Sequence, residues 1–293
     1  MAPAALYERT QEVTINTIDS IQISGTLEYV SNKKLAIMLA GSGPTDRDCN
    51  SAIGLASNTF KYIADELAAA GISSYRYDKR GIAASTKVPE SRMTLYDRIV
   101  DIKAIVDRFQ NDFEEITLIG HSEGVIVGTV AATEHPSVDA FVGIAGPSNT
   151  MKEILMEQMA KYPKLTPLLE MHFEELENDL PYSEVNPLIK SLFNESLRPY
   201  MQSAIAMDPS ENIAKLSKPT LIIGGTCDVQ VAPEHAKTLH KNCPGSELLI
   251  VEGMGHILKE LDSDCSNAQK AYQDDSLPLN KKFVEGLMGF MSR

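Results

Sequence analysis

At 293 residues the chain is long enough for one large α/β domain with a buried sheet and an inserted subdomain, while two unrelated domains stay open on length alone. Its formal net charge of −13 argues against nucleic acid and anionic membrane surfaces as partners, because both repel so acidic a protein. Met1 to Arg9 has no apolar core of a signal peptide, and no later stretch reaches the roughly 20 apolar residues of a membrane span, so a cytoplasmic location without integral membrane association is expected.

Taken in chain order, Val13 to Ile18 and Ile21 to Val30 are β-rich and separated by Asp19-Ser20, which predicts an N-terminal antiparallel hairpin. Leu35 to Ala40 is a continuous apolar run that breaks into Gly41-Ser42-Gly43-Pro44, the pattern of a strand buried on both faces. Phe60, Ile63, Ala64 and Leu67 recur at helical spacing up to Gly71, and Ile72 to Tyr77 reads as the next strand. Thr94 is placed to cap a helix whose buried stripe is Leu95, Ile99, Ile102, Ile105, Val106 and Phe109. Ile116 to Ile119 is a buried strand, followed by a glycine-rich turn and an apolar helix from Val125 to Ala132. Val138 to Ile144, Thr220 to Ile223 and Glu247 to Val251 complete the set of strands.

Strands alternating with helices predict right-handed βαβ crossovers and a mainly parallel sheet with helices on both faces. The alternation stops once. Between Pro147 and Lys218 the sequence is Met-rich, helical in pattern and punctuated by Pro163, Pro167, Pro181, Pro187 and Pro199, as expected for a helical insertion into the core. The four cysteines, Cys49, Cys227, Cys243 and Cys265, show no metal-ligand spacing, and free thiols are expected in a chain with no export signal.

Gly120-His121-Ser122-Glu123-Gly124 fits G-x-S-x-G, in which the glycines let a strand turn sharply into a helix and expose the serine. The pattern alone is a weak signal that an ordinary glycine-rich turn can match, but here it joins a predicted buried strand to an apolar helix. A serine hydroxyl is a poor nucleophile at neutral pH and needs a base, which in turn needs a partner to fix its tautomer. In this architecture both follow the serine, the acid first. Asp228 lies just after the strand containing Leu221, and His256 lies after Val251 in Glu252-Gly253-Met254-Gly255-His256. Glu252 is the rival acid, and a turn or cap role is the plainer alternative for Asp228. His121, His135, His172, His235 and His240 read as packing or surface histidines. Backbone N–H groups of Glu123 and Ser42 are the expected oxyanion donors, although a merely flexible loop explains the glycines around Ser42 equally well.

With these residues assembled, the chain resembles the α/β-hydrolase superfamily over nearly its whole length, and within it the bacterial-type serine esterases with a helical lid. The resemblance rests on Leu39-Ala40-Gly41-Ser42-Gly43-Pro44-Thr45-Asp46-Arg47-Asp48, on Tyr77-Asp78-Lys79-Arg80-Gly81 and on the serine turn. It implies an eight-stranded sheet, a core of residues 1–146 and 219–293, a lid of residues 147–218, an acyl-enzyme intermediate and no cofactor. Many relatives carry histidine where this chain has Ala40, and Cys49 stands where glycine is expected. Asp46, Arg47 and Asp48 either hold their loop through an ion-pair network, the favoured role, or touch substrate, and Arg80 is expected to be structural. The resemblance does not fix the substrate; a carboxylic ester of a small to medium acyl group is the expected one, with Met151, Met156, Met159, Met171, Met201 and Met207 available to line an adaptable acyl pocket or to serve as plain core. A thioesterase or amidase with the same triad, and a non-catalytic ligand-binding protein on the same fold, remain alternatives, and a homodimer is compatible with all of these readings.

Overall fold

The computed structural model describes residues 9–52, 54–262 and 264–293. Of the N-terminal stretch read for a signal peptide, only Arg9 falls within the described residues. Among the described residues eight strands form one sheet: β1 (Thr10–Asn16), β2 (Gln22–Glu28), β3 (Lys34–Leu39), β4 (Ser73–Tyr77), β5 (Glu115–His121), β6 (Ala140–Ile144), β7 (Thr220–Gly225) and β8 (Glu247–Val251). Their spatial order is β1-β2-β4-β3-β5-β6-β7-β8. The N-terminal hairpin pairs antiparallel, β2 is antiparallel to β4, and β3 to β8 run parallel. Ile18, expected in the first strand, lies instead in the turn after it and is almost fully exposed, because the chain turns at Asp19-Ser20 before that side chain can find a face.

Side-chain alternation along a strand sends successive residues to opposite faces, and the central strands are apolar on both. Leu35, Ile37 and Leu39 of β3 pack with helices α2 (Leu95–Phe109) and α3 (Glu123–Glu134), whereas Ala36 and Met38 pack with α1 (Thr59–Ala69) and with the last helix, Lys281–Met291. The N–H of Thr94, just before α2, donates to Asp97 at 2.6 Å, so the expected cap position starts that helix.

Among the described residues four helices lie between β6 and β7: α4 (Met151–Met159), α5 (Thr166–Glu177), α6 (Arg198–Ile205) and α7 (Pro209–Ile213). The first three share an apolar cluster of their own, built on Leu169, Phe173, Leu176, Ile189, Phe193 and Met201. Ile213 and Leu216 instead join the main core beneath α3, so the end of the insertion is anchored to the sheet layer. The six methionines divide: Met207 is in the main core, Met201 is buried in the insertion cluster with Met151, Met156 and Met159 packed against it, and Met171 is at the surface.

The expectation of free thiols fails at one pair. Cys227 and Cys265 form a disulfide with a Cα separation of 5.3 Å, while Cys49 and Cys243 are free and buried. Sequence distance hid the pair, because the fold brings the loop after β7 against the segment after Leu261 in a small cluster with Ile257, Ala268 and Ala271. Closing a loop of this length restricts the unfolded chain, so Cys265→Ser is expected to lower stability by about 2–4 kcal/mol, read by urea unfolding of the variant beside the oxidised native chain. Among the described residues no helix is long and apolar enough to cross a membrane.

Candidate active site

The strand order reverses its growth at β3, whose neighbours are β4 on one side and β5 on the other, so the loops leaving β3 and β5 emerge side by side at the carboxyl edge of the sheet. Such a switch point is where ligands bind in open α/β sheets. Leu39 pairs with Gly120, which sets Gly41 against Ser122 two residues later: a Cβ on Gly41 would lie 3.0 Å from Ser122 Cβ.

Ser122 sits between β5 and α3 at φ 55° and ψ −121°, a conformation that L-residues other than glycine seldom adopt. The glycines around it are sterically required. A Cβ on Gly120 would meet Gly124 O at 2.4 Å, and one on Gly124 would meet Leu39 O at 2.1 Å, both backbone atoms that cannot swing aside. Gly124→Ala is therefore expected to cost more than about 2 kcal/mol of stability in urea unfolding, at or beyond the upper range for overpacking.

The other two candidate residues come from loops farther along the sheet, after β7 and β8. His256 Nδ1 lies 2.7 Å from Asp228 Oδ2, and both side chains are almost fully buried. Asp228 Oδ1 accepts from the backbone N–H groups of Gln230 at 2.8 Å and Val231 at 2.9 Å, which fixes the carboxylate beneath the ring. Burial alone would push the Asp228 carboxyl up, but His256 and these two N–H groups outweigh it and hold it below the ordinary carboxylate value. An anionic acceptor at Nδ1 leaves Nε2 as the basic nitrogen. Glu252, the rival acid, is 85% exposed at its side chain and lies 3.7 Å from Lys282, so it points away from the imidazole. Ser122 and His256 line one pocket of about 90 Å³ together with Gly41, Ser42, Gln230 and Tyr272. Among the described residues no hydrogen bond joins the Ser122 hydroxyl to the ring.

His121, read from sequence as a packing residue, has a more definite place. Its Nε2–H donates to the carbonyl oxygen of His256 at 2.7 Å, and the two rings lie 4.8 Å apart. Burial, with His256 alongside, lowers its pKa to about 3, so the ring is neutral and able to serve as a fixed strut. The only sequence signal was its position inside the serine turn.

A second, larger cavity of about 400 Å³ touches the first through Ser42. Apolar side chains of the insertion and of the core both line it, including Met93, Met151, Leu155, Leu192 and Met201. Its polar end is a buried charge network that composition and periodicity did not reveal: Arg98 pairs with Glu123, Tyr200 OH donates to Glu123, and Lys79 Nζ donates to Gly41 O at 2.7 Å and Gly43 O at 2.5 Å. Arg98 does leave a trace, since it interrupts the apolar stripe of α2 between Leu95 and Ile99. Tyr200 leaves none.

The segment Asp46-Arg47-Asp48 is held by ion pairs: Arg47 to Asp78 at 2.8 Å and to Glu12 at 2.5 Å, Asp48 to Arg76. Arg80 is likewise paired with Asp101 at 2.6 Å and Asp19 at 2.9 Å.

Solved structures show the same fold at low identity. An esterase of Pyrococcus furiosus superposes with a TM-score of 0.67 at 16% identity, covering 98% of this chain and 91% of that one. An esterase of Exiguobacterium antarcticum gives 0.62 at 20%, covering 97% and 100%, and a bromoperoxidase of Bacillus anthracis gives 0.61 at 19%, covering 97% and 100%. No curated protein matches the sequence. Residues 53–262, most of the chain, match the serine aminopeptidase S33 family, and with the sheet order and serine turn described above the chain belongs to that family of α/β-hydrolases.

Proposed function

We propose that this chain is a serine hydrolase that cleaves carboxylic esters of small to medium acyl groups through an acyl-enzyme intermediate on Ser122. The observation that carries the reading is the 2.7 Å contact between His256 and Asp228 in a pocket whose wall also holds Ser122 on its strained turn. In this reading Ser122 Oγ attacks the ester carbonyl carbon while its proton passes to His256 Nε2, and the carbonyl oxygen, now anionic, takes the N–H groups of Ser42 and Glu123. His256 then returns the proton to the departing alkoxide. Water, activated by the same nitrogen, releases the acid and restores the serine.

Residues 147–218 serve in this reading as a helical lid on a core of residues 1–146 and 219–293. The larger cavity supports it, because its walls come from both parts, and its volume falls within the roughly 300–1,000 Å³ of cavities that enclose a small ligand. Two unequal pockets meeting at Ser42 suit an ester with one short and one longer apolar arm.

The aminopeptidase description of the family favours an amide as the second reading. The smaller pocket offers hydroxyls, an amide and apolar surface, a neutral lining that suits an ester better than the ammonium group of a peptide N-terminus.

Hydrolysis of p-nitrophenyl esters of about two to twelve acyl carbons, run beside fluorophosphonate labelling, tests the proposal. Turnover of the short and middle members with labelling is the expected result. Labelling without turnover moves the assignment to a thioester or amide, and absence of both replaces it with ligand binding without chemistry.

A further inference from the structure

We propose that Lys79 and Arg98 are positioning residues that aim the oxyanion hole, holding the loop after β3 by its carbonyl groups so that the Ser42 N–H faces the reacting oxygen. The proposal rests on the reading of Ser42 and Glu123 as the oxyanion donors. Its geometric basis is the peptide plane. Among the described residues no cis peptide bond occurs, and across a trans peptide the carbonyl of one residue and the N–H of the next point in opposite directions. Fixing Gly41 O therefore fixes the direction of the Ser42 N–H. Lys79 Nζ donates to Gly41 O at 2.7 Å and Arg98 Nη1 reaches the same oxygen at 3.4 Å, while the neighbouring carbonyls are held by Arg98 Nη2, at 2.6 Å from Ala40 O, and Lys79, at 2.5 Å from Gly43 O.

Gly41, Ser42 and Gly43 offer little side chain to hold this part of the loop, and two cations on the carbonyls of Ala40, Gly41 and Gly43 restrict it. A cation on the carbonyl also polarises the peptide, which strengthens the N–H as a donor. The second donor is tied to the same clamp: the guanidinium that grips the loop is ion-paired with the side chain of Glu123, whose own N–H opens α3. Tyr200, from α6 of the insertion, binds the other carboxylate oxygen. Lys79 comes from the loop after β4, the neighbour of β3, which is why it can reach.

Charge at this position is open to titration. Arg98 of α2, Glu123 of α3, Asp46 and Cys49 of the loop after β3, and His121 of β5 all face Lys79, and burial with the neighbouring Arg98 lowers its pKa to about 7 against the pull of Glu123. Loss of that proton above about pH 7 leaves a neutral amine, a weaker donor to the two carbonyls.

The test compares native enzyme, Lys79→Met and Ser122→Ala on p-nitrophenyl butyrate and with a hexyl trifluoromethyl ketone, which forms an oxyanion on an activated serine. Lys79→Met is expected to lower kcat by roughly tenfold to a hundredfold, less than the 10²–10³ lost with a donor outright, with KM changed by less than about threefold. The ketone is expected to bind more weakly by the same factor as kcat falls. Native kcat should step down as pH rises through about 7, and the variant should lack that step. Should Lys79→Met fail to fold, Lys79→Gln, which keeps an N–H donor without charge, and the native pH profile take its place. A kcat within about threefold of native, or a kcat loss without weaker ketone binding, overturns the proposal while leaving Ser122 as nucleophile; turnover that survives Ser122→Ala overturns the hydrolase reading and this proposal with it.

Discussion

Ser122→Ala is expected to lower kcat for p-nitrophenyl butyrate by roughly 10⁴ to 10⁶, leaving only what the oxyanion donors and substrate binding contribute without a nucleophile. The size of the effect follows from the chemistry. Without the hydroxyl no acyl-enzyme forms, and His256 is left to activate water at a distance set for a side chain. The same variant is expected to unfold within about 1 kcal/mol of native in urea, since alanine and serine adopt the turn at φ 55° at similar cost. Ser122→Gly separates the two properties further. Glycine accepts that conformation without strain, so this variant is expected to gain about 1–3 kcal/mol of stability while being as inactive as the alanine variant. A stability gain with lost turnover is the signature of strain held for function. Turnover within about tenfold of native in Ser122→Ala removes the residue from the chemistry.

What could be read from sequence, and what could not, divides along local versus long-range information. Apolar runs such as Leu35 to Ala40 and Ile116 to Ile119 marked buried strands, and their order with the helices implied the parallel sheet that is found, because each signal lies within one element. The serine turn was legible for the same reason: its two glycines and its strand and helix are contiguous. Chain position favoured Asp228 over Glu252, and the fold turns the first carboxylate under the imidazole and the second toward Lys282. The Cys227–Cys265 disulfide and the Lys79, Arg98, Glu123 and Tyr200 network join residues from separate elements, and no periodicity within one element reports such a meeting. Arg98 shows the limit well. A charged residue inside an apolar helical stripe signals a buried partner, but not which one.

Asp228→Asn is the second large effect expected, a fall in kcat on the order of 10⁴. The native carboxylate has no proton to give, so it can only accept from His256 Nδ1, and the ring must then present a bare Nε2 toward the serine. An asparagine whose carbonyl oxygen keeps the Gln230 and Val231 N–H groups turns its NH₂ toward the ring. That group donates to Nδ1, which moves the ring proton to Nε2, the nitrogen that has to accept from Ser122. Geometry is kept and the tautomer is wrong. Because the native Asp228 carboxyl is held below its ordinary value, its contribution to stability is present above the unfolded pKa of about 3.9 and is lost as pH falls through the folded value. The stability difference between native and Asp228→Asn should therefore narrow in acid, while the difference in kcat persists wherever His256 can act as base. A kcat loss below about tenfold hands the orienting role to Glu252, whose exposed side chain then has to leave Lys282 and swing inward. Glu252→Gln distinguishes the two cases: with Asp228 in place, removing a carboxylate at the surface is expected to leave kcat within about twofold, as surface substitutions away from a site do.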